Sequence, residues 1–252
     1  MGIRIHLCGR IALVGDDCLI DERELPGRQG RLALAVLCLD RRRPISVGRL
    51  IDSLWDENPP PDADGALASI VSKLRVILRR AGAPGPDVIT AGSGCYQLRL
   101  PAASTVDLES ARNAIDQAEG ARRRGDEGLA WANATVAVSI ARRGFLVGES
   151  AAWVLAVQRE LARMTRRGYD CLAWVWTIRG DGVLATAMAE HAVDVEPLHE
   201  PAWRALMATQ AQFGSRADAV RTYWRCREVL RHELGVSPDA ETLRLYDQLL
   251  AG

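Results

Sequence analysis

The chain has 252 residues, of which 48% are hydrophobic and 25% are charged, and these are the proportions of an ordinary globular protein. They exclude a wholly disordered chain, a collagen-like repeat and a coiled-coil rod, and the length favours two domains over one. Lysine plus arginine and aspartate plus glutamate both total 32, so the whole chain has no excess charge that would direct it to nucleic acid, membranes or acidic substrates.

The first predicted elements are strands followed by a helix. Ile3, Ile5 and Leu7 alternate with other residues, and this period of two predicts a half-buried strand. A second short strand is predicted near residues 17–20. Residues 30–39 are apolar on nearly every side, which predicts a central, buried helix.

Two further helices are predicted on either side of a proline-rich turn. Ser46 can cap a short helix over residues 47–55. The sequence Asn-Pro-Pro-Pro-Asp at 58–62 ends that helix, and Asp64 can cap a longer one that extends to about residue 80.

A glycine-rich hairpin is predicted after these helices. Its strands lie near residues 88–90 and 95–100, and Gly92-Ser93-Gly94 forms a flexible turn between them. A short helix, a turn, a longer helix and a hairpin follow one another in the order of a helix-turn-helix with a wing. We therefore expect a winged-helix DNA-binding domain over residues 1–103.

The remaining residues, 104–252, show almost only helical patterns. Gly180 and Gly214 lie 34 residues apart, which is the length of a tetratricopeptide repeat, although generic antiparallel helices would look similar. The six tryptophans between residues 131 and 224 are predicted to lie mostly in the core. The predicted fold is thus mainly α with a small antiparallel β part, and its second domain is an all-α, tetratricopeptide-like domain. The predicted helices lie near residues 106–120, 126–142, 151–178, 181–195, 200–213, 216–233 and 239–250.

The helix over residues 65–81 separates apolar from polar side chains. Its apolar stripe consists of Leu67, Ile70, Val71, Leu74 and Leu78. Its opposite face carries Ser69, Ser72, Lys73, Val76, Arg79 and Arg80, with Arg75 on the flank. Lysine and arginine can bind phosphates and purine edges, and serine adds hydrogen bonds in little space. This face indicates either a DNA-reading surface or an ordinary solvated helix face.

The order of these elements and several short segments resemble known regulators. Four segments resemble the OmpR/PhoB-type winged helix: Leu-Pro-Gly-Arg-Gln-Gly-Arg at 25–31, Leu-Ile-Asp-Ser-Leu-Trp at 50–55, Ser-Lys-Leu-Arg at 72–75 and Gly-Cys-Tyr at 94–96. Three segments resemble a bacterial transcriptional activation domain: Pro-Leu-His-Glu at 197–200, Ala-Val-Arg-Thr-Tyr at 219–223 and Glu-Leu-Gly-Val-Ser-Pro at 233–238. Along essentially its whole length, the chain resembles the streptomycete antibiotic regulatory protein (SARP) family.

The resemblance implies a transcriptional activator of an antibiotic or other secondary-metabolite gene cluster. It implies that the winged helix binds direct repeats in double-stranded promoter DNA near the −35 element. It also implies that the helical domain contacts RNA polymerase, including the principal sigma factor, and a second protomer on DNA. The alternative is a helical-repeat adaptor or effector-sensing protein whose winged helix does not bind DNA specifically.

Candidate DNA contacts follow from the helical wheel and from the resemblance. The candidate base-reading residues are Ser69, Ser72, Lys73 and Val76, and the resemblance matches Lys73 to the base-reading position. The candidate phosphate and wing contacts are Arg75, Arg79, Arg80, Thr90 and Ser93. Arg28 and Arg31 are either additional backbone contacts or ordinary surface charges.

The wing departs from the family pattern at two positions. Gly92 stands where related winged helices often carry a basic residue, and Cys95 precedes the wing tyrosine where glycine is usual. Residues 1–105 also carry 14 basic and 12 acidic groups, a net charge of only +2. We therefore expect weaker DNA binding than that of a strongly basic domain, and a stronger dependence on oligomerisation.

The sequence gives little support to other chemistries. The four histidines form no H-x-x-x-H or H-E-x-x-H arrangement, so no metal site is predicted. The six cysteines are scattered without a C-x-x-C pair, which favours reduced thiols over a disulfide framework. We expect no catalytic residues and no cofactor. The first residues lack a secretory signal and the longest apolar run, 32–39, is too short to span a membrane, so we expect a cytoplasmic protein.

Overall fold

The structure, a computed structural model, describes residues 2–83 and 85–251 and divides into two compact units. The first unit contains the residues up to Ser110 together with Arg143–Gln158, and the rest of the chain forms the second unit. Residues 143–158 thus fold with the first unit, whereas the boundary predicted between residues 103 and 104 assigns them to the helical domain.

The first unit contains a four-stranded sheet with the strand order β3-β2-β1-β7. Its strands are β1 (Arg4–His6), β2 (Ala12–Val14), β3 (Leu19–Asp21) and β7 (Thr105–Val106). Strands β1, β2 and β3 pair antiparallel, whereas β1 and β7 pair parallel, with Ile5 opposite Val106. A parallel pair needs a long connection between its strands, and all the helices of the winged-helix motif lie between β1 and β7 in the chain.

Three helices and a second sheet lie between these strands in sequence. The helices are α1 (Gly27–Leu39), α2 (Val47–Trp55) and α3 (Ala63–Arg80). The second sheet has the order β4-β6-β5, with β4 at Ile45–Ser46, β5 at Ile89–Gly92 and β6 at Cys95–Leu98. Helix α1 is buried at every residue from Leu32 to Cys38, as its continuous apolar run predicts. The order α2, α3 and β5–β6 hairpin is that of a winged helix-turn-helix.

Short side-chain caps fix where α2 and α3 begin. The Ser46 hydroxyl accepts a hydrogen bond from the backbone N–H of Arg49 at 3.3 Å, which confirms the predicted cap of α2. The cap of α3 is Asp62, whose Oδ1 accepts the Gly65 N–H at 2.9 Å. The prediction of Asp64 as the cap is wrong, because the chain turns into helix directly after the prolines and Asp64 already lies in the first turn.

Three strands were not predicted from the sequence, namely β2, β4 and β7. Strands β4 and β7 have two residues each and β2 has three, and none lies in a longer alternation of apolar and polar side chains like the one that extends through β1 from Ile3 to Leu7. Strand β7 pairs with β1 and β4 pairs with β6, both distant in the chain, whereas β2 pairs with the strand directly before it.

Seven further helices follow, at bounds close to those predicted. They are α4 (Asp107–Arg123), α5 (Glu127–Ala141), α6 (Ala152–Ile178), α7 (Gly182–Val195), α8 (Glu200–Gln212), α9 (Arg216–Leu234) and α10 (Ala240–Ala251). Gly180 and Gly214 follow α6 and α8 with φ angles of 76° and 90°, a left-handed conformation that glycine adopts without strain. Consecutive helices from α7 to α10 pack against one another, as in a tetratricopeptide-like array. Within the described residues, no helix has the length and apolar character needed to cross a bilayer.

The tryptophans of the second unit differ widely in burial. Trp203 is 2% exposed, and its Nε1 donates a hydrogen bond to the Pro197 carbonyl oxygen at 2.7 Å. Trp131 and Trp224 are 42% and 48% exposed, and the other three of the six predicted core tryptophans are half-buried. The prediction that most of them lie in the core is therefore wrong, since Trp203 alone of the six is fully buried. Small side chains surround the one fully buried ring. The buried alanines around Trp203 are Ala173, Ala189, Ala192 and Ala202.

Candidate nucleic-acid interface

Helix α3 is anchored by one apolar stripe. Its buried residues are Leu67, Val71, Leu74, Ile77 and Leu78. Four of these belong to the predicted stripe, whose fifth member, Ile70, is half-buried. The burial of this stripe against the first unit fixes the rotation of α3 about its axis and so determines which side chains face solvent.

The opposite face of α3 is open to solvent. All six residues predicted on this face are exposed, namely Ser69, Ser72, Lys73, Val76, Arg79 and Arg80. Val76 is 54% exposed among polar neighbours. An apolar side chain in such a place can contact the methyl group of thymine, which projects into the major groove. This face therefore combines donors, cations and one apolar contact.

The cations of this face differ in their intramolecular partners. Among the described residues, neither Lys73 nor Arg79 has a hydrogen bond or an ion pair with another side chain. The Arg80 guanidinium is paired with the Glu24 carboxylate, and this hydrogen bond raises the pKa of Arg80 above its ordinary value. Lys73 and Arg79 are thus available to a ligand at once, whereas Arg80 would have to leave Glu24.

Arg75 lies on the flank of α3 and ties that helix to the wing. Its side chain is half-buried, and its Nε donates a hydrogen bond to the backbone oxygen of Ile89 in β5 at 2.9 Å. Thr90, the next residue in β5, is also half-buried, and its hydroxyl donates to the Gln97 carbonyl oxygen in β6 at 3.4 Å. Arg75 therefore holds the hairpin beside α3, whereas Thr90 joins the two strands of the hairpin to each other.

Arg75→Ala is expected to lower the free energy of unfolding by about 1–2 kcal/mol, because the carbonyl group of the buried Ile89 loses a charged donor. Chemical denaturation followed by circular dichroism measures this change. Arg79→Ala is the matched control, and its effect is expected to stay within about 0.5 kcal/mol because the side chain is exposed and unpaired. Equal effects of the two substitutions would show that the Arg75 contact does not hold the hairpin.

The turn of the wing is tight and uncharged. Gly92 pairs with Cys95, and the two residues between them, Ser93 and Gly94, have φ angles of 50° and 69°. The Gly94 carbonyl oxygen accepts a hydrogen bond from the backbone N–H of Val47, the first residue of α2, at 2.9 Å. Ser93 is exposed at the tip, where its hydroxyl could donate to a phosphate.

The two arginines predicted at the start of α1 lie in different surroundings. The Arg28 guanidinium binds Glu149 through hydrogen bonds of 2.5 to 3.0 Å from Nε and Nη2. Arg31 is half-buried and lines a polar cavity of about 390 Å³, to which Arg10 and Arg143 also contribute. The ion pair of Arg28 with Glu149, within the first unit, competes with a contact of Arg28 to a DNA backbone.

A second group of cations lies in the connection from α1 to α2. The Asp40 carboxylate binds the guanidinium groups of both Arg43 and Arg49, and Arg42, directly before Arg43 in the loop, is exposed. None of these residues was selected from the sequence. The signal available was the run Arg41-Arg42-Arg43 directly before β4, but a run of arginines at a helix end is usually only solvated charge.

No metal or catalytic centre stands out in the described residues. Residues 2–83 and 85–251 contain no group of three His, Cys, Asp or Glu side chains that could hold a metal ion. Burial raises the pKa of the Cys38 thiol far above its ordinary value, which makes this cysteine a packing residue rather than a nucleophile.

The chain is similar in sequence to known regulators of transcription. The family model of the bacterial transcriptional activator domain matches residues 106–250. The chain is 30% identical over 227 residues to regulatory protein AfsR of Streptomyces griseus, covering 88% of this chain and 22% of AfsR. It is 26% identical over 233 residues to transcriptional regulator RedD of Streptomyces coelicolor, covering 88% of this chain and 63% of RedD.

A solved structure extends the similarity to the whole described fold. The structure of Mycobacterium tuberculosis EmbR in complex with a low-affinity phosphopeptide matches with a TM-score of 0.88 and 25% sequence identity, over 99% of this chain and 65% of the EmbR chain. The chain thus spans about a fifth of AfsR and less than two thirds of RedD and EmbR. It belongs to the streptomycete antibiotic regulatory protein family of transcriptional regulators, whose members carry the bacterial transcriptional activator domain.

Proposed function

We propose that this protein is a sequence-specific, DNA-binding activator of transcription that acts in the cytoplasm on a secondary-metabolite gene cluster. The observation that carries the proposal is the exposed face of α3, on which Lys73 and Arg79 have no protein partner among the described residues. A helix that is buried along one stripe and presents cations, hydroxyls and one methyl-bearing side chain on the other is suited to the major groove.

The roles of the side chains follow from their chemistry. Lys73 and Ser72 donate hydrogen bonds to base edges, with Ser69 beside them, and Val76 packs against a thymine methyl. Arg79 and Arg80, at the end of α3, bind phosphates, and so does Ser93 at the tip of the wing. Arg75 acts indirectly, since its hydrogen bond to Ile89 keeps the wing in place beside α3, and Thr90 acts indirectly by joining the two strands of the wing.

The helical unit provides the protein contacts of the activator. We propose that it binds RNA polymerase, including the principal sigma factor, and a second protomer when two copies occupy direct repeats near the −35 element. Support comes from the match of the bacterial transcriptional activator domain to residues 106–250. Every 1.4 kcal/mol of such contact raises the occupancy of an unsaturated promoter about tenfold.

Lys73→Ala is expected to weaken binding to a specific site by about 1–3 kcal/mol, or about 5-fold to 150-fold, because a hydrogen-bonded base contact is lost. The loss is expected to be much smaller on DNA of arbitrary sequence, so the substitution lowers the ratio of specific to nonspecific affinity. Fluorescence anisotropy titrations of both duplexes measure this ratio.

Arg4→Ala is the matched control. Arg4 is exposed on β1, so its replacement removes one positive charge at a position away from α3. If Lys73→Ala and Arg4→Ala changed the two affinities equally, Lys73 would be an ordinary surface charge. That result would favour an adaptor or effector-sensing role for the helical unit, with a winged helix that does not read sequence.

A further inference from the structure

The wing of this protein has no cation at its tip. The turn consists of Gly92, Ser93 and Gly94, followed by Cys95, and the first cation beyond it in the chain is Arg99, directly after β6. Positive charge near the tip would attract the DNA backbone. Such charge can come from the elements that lie nearest to this turn.

The beginning of α2 is joined directly to the wing turn. Ser46 pairs with Cys95 across β4 and β6, and the Val47 N–H donates to the Gly94 carbonyl oxygen at 2.9 Å. Arg49 lies in the first turn of α2, where its backbone N–H bonds to the Ser46 hydroxyl. The backbone of Arg49 therefore lies close to the uncharged tip of the wing.

One carboxylate holds Arg49 and Arg43 together. Oδ2 of Asp40 accepts a hydrogen bond from Nη2 of Arg49 at 2.6 Å. Oδ1 accepts from Nε and Nη2 of Arg43 at 3.0 and 2.8 Å. The Asp40 side chain is 15% exposed, whereas those of Arg43 and Arg49 are 65% and 51% exposed. The carboxylate lies beneath the two guanidinium groups, which remain open to solvent.

The trio has a net positive charge and unused donors. Two guanidinium groups and one carboxylate give a charge of +1, and the hydrogen bonds to Asp40 leave Nη1 of both arginines and Nε of Arg49 without a protein partner among the described residues. Two arginines fixed side by side suit a phosphate, because each can donate a charged hydrogen bond. Since Asp40 already orders both side chains, phosphate binding costs little further conformational entropy.

We propose that Arg43 and Arg49, positioned by Asp40, form a phosphate-binding site for duplex DNA beside the wing and replace the cation that the wing turn lacks. This inference rests on the proposed DNA-binding function and assigns the site to the DNA backbone, not to the bases. Arg43 and Arg49 bind the phosphate, and Asp40 is a positioning residue.

The sign of one substitution separates positioning from plain charge. If Asp40 only neutralised nearby arginines, Asp40→Asn would remove a negative charge and strengthen DNA binding. If Asp40 holds the arginines in place, Asp40→Asn weakens binding although the protein becomes more positive. Asp16→Asn is the charge-matched control, because Asp16 is exposed in the β2–β3 turn and has no arginine partner among the described residues.

The test measures the affinity of the full chain for a selected duplex and for a duplex of arbitrary sequence over a range of salt concentrations. Arg49→Ala is expected to weaken binding to both about five- to tenfold and to reduce the slope of log affinity against log salt by about one. Asp40→Asn is expected to weaken binding to both duplexes about threefold, because the neutral amide holds the two guanidinium groups less firmly than the carboxylate does. Asp16→Asn is expected to leave binding unchanged or slightly stronger, and Arg49→Lys to recover part of the affinity.

The outcomes distinguish this inference from the function on which it rests. Circular dichroism melting curves identify any variant that does not fold, and Arg49→Ala tests the site independently of Asp40. If the parent bound both duplexes and Arg49→Ala kept its affinity and salt slope, or if Asp40→Asn strengthened binding as a charge change would, the phosphate site would be refuted while the proposed function stood. If the folded parent bound no duplex, both would be refuted.

Discussion

Replacement of Trp203 by alanine is expected to lower the free energy of unfolding of the helical unit by about 3–5 kcal/mol. The ring is only 2% exposed, and its Nε1 binds the Pro197 carbonyl oxygen at 2.7 Å. It packs among Ala202, Leu206 and other residues of the same cluster, so its removal leaves a cavity that small neighbours cannot fill. The unfolding cost therefore combines lost burial, a lost hydrogen bond and an empty volume.

Urea denaturation followed by far-ultraviolet circular dichroism measures this effect. Trp131→Ala is the matched control, because the same side chain is removed from a site where it is 42% exposed. We expect the control to cost no more than about 1 kcal/mol. Similar losses for the two variants would contradict the assignment of Trp203 to the centre of the core.

Asp107→Ala is expected to lower the free energy of unfolding of the first unit by about 3–5 kcal/mol, since several buried N–H groups lose their acceptor. Its side chain is buried, and its two oxygens accept hydrogen bonds from the backbone N–H groups of Leu7, Cys8 and Leu108 at 2.8, 3.0 and 2.8 Å. This one carboxylate fixes the chain after β1 to the beginning of α4.

Thermal and urea denaturation of Asp107→Ala provide the measurement. Asp126→Ala is a useful comparison, because Asp126 accepts a single N–H, from Leu129 at 3.0 Å, at the exposed start of α5. Loss of such a cap costs about 1 kcal/mol. If Asp107→Ala were no more destabilising than Asp126→Ala, the three hydrogen bonds at Asp107 would not stabilise the fold as described.

The helices were largely predictable because their signals are local. The stripe of α3 repeats at helical spacing, and a serine directly before α2 marks its first turn. Strands β4 and β7 were not, because two residues show no period and their partners β6 and β1 are distant in the chain. Strand β2 was not, because its apolar residues are consecutive and show no alternation. The position of the α3 cap differed by two residues for another reason, since both Asp62 and Asp64 follow the prolines and either could form it.

The candidate site was predictable in its exposed face but not in its internal contacts. A helical wheel places Lys73 opposite the core stripe without knowledge of the fold. It cannot show that Arg80 pairs with Glu24, 56 positions earlier, or that Arg28 pairs with Glu149, 121 positions later. The Asp40 pairing with Arg43 and Arg49 likewise depends on how the loop after α1 returns to α2.

One experiment tests DNA reading by the winged helix most directly. The full chain selects bound duplexes from a random DNA pool, and the enriched duplex is then titrated at two salt concentrations. We expect enrichment of a direct repeat and a steep loss of affinity with salt, because phosphate contacts release counterions. No enrichment with correctly folded protein would contradict a sequence-reading role and would leave the helical unit as the part of the protein that binds its partners.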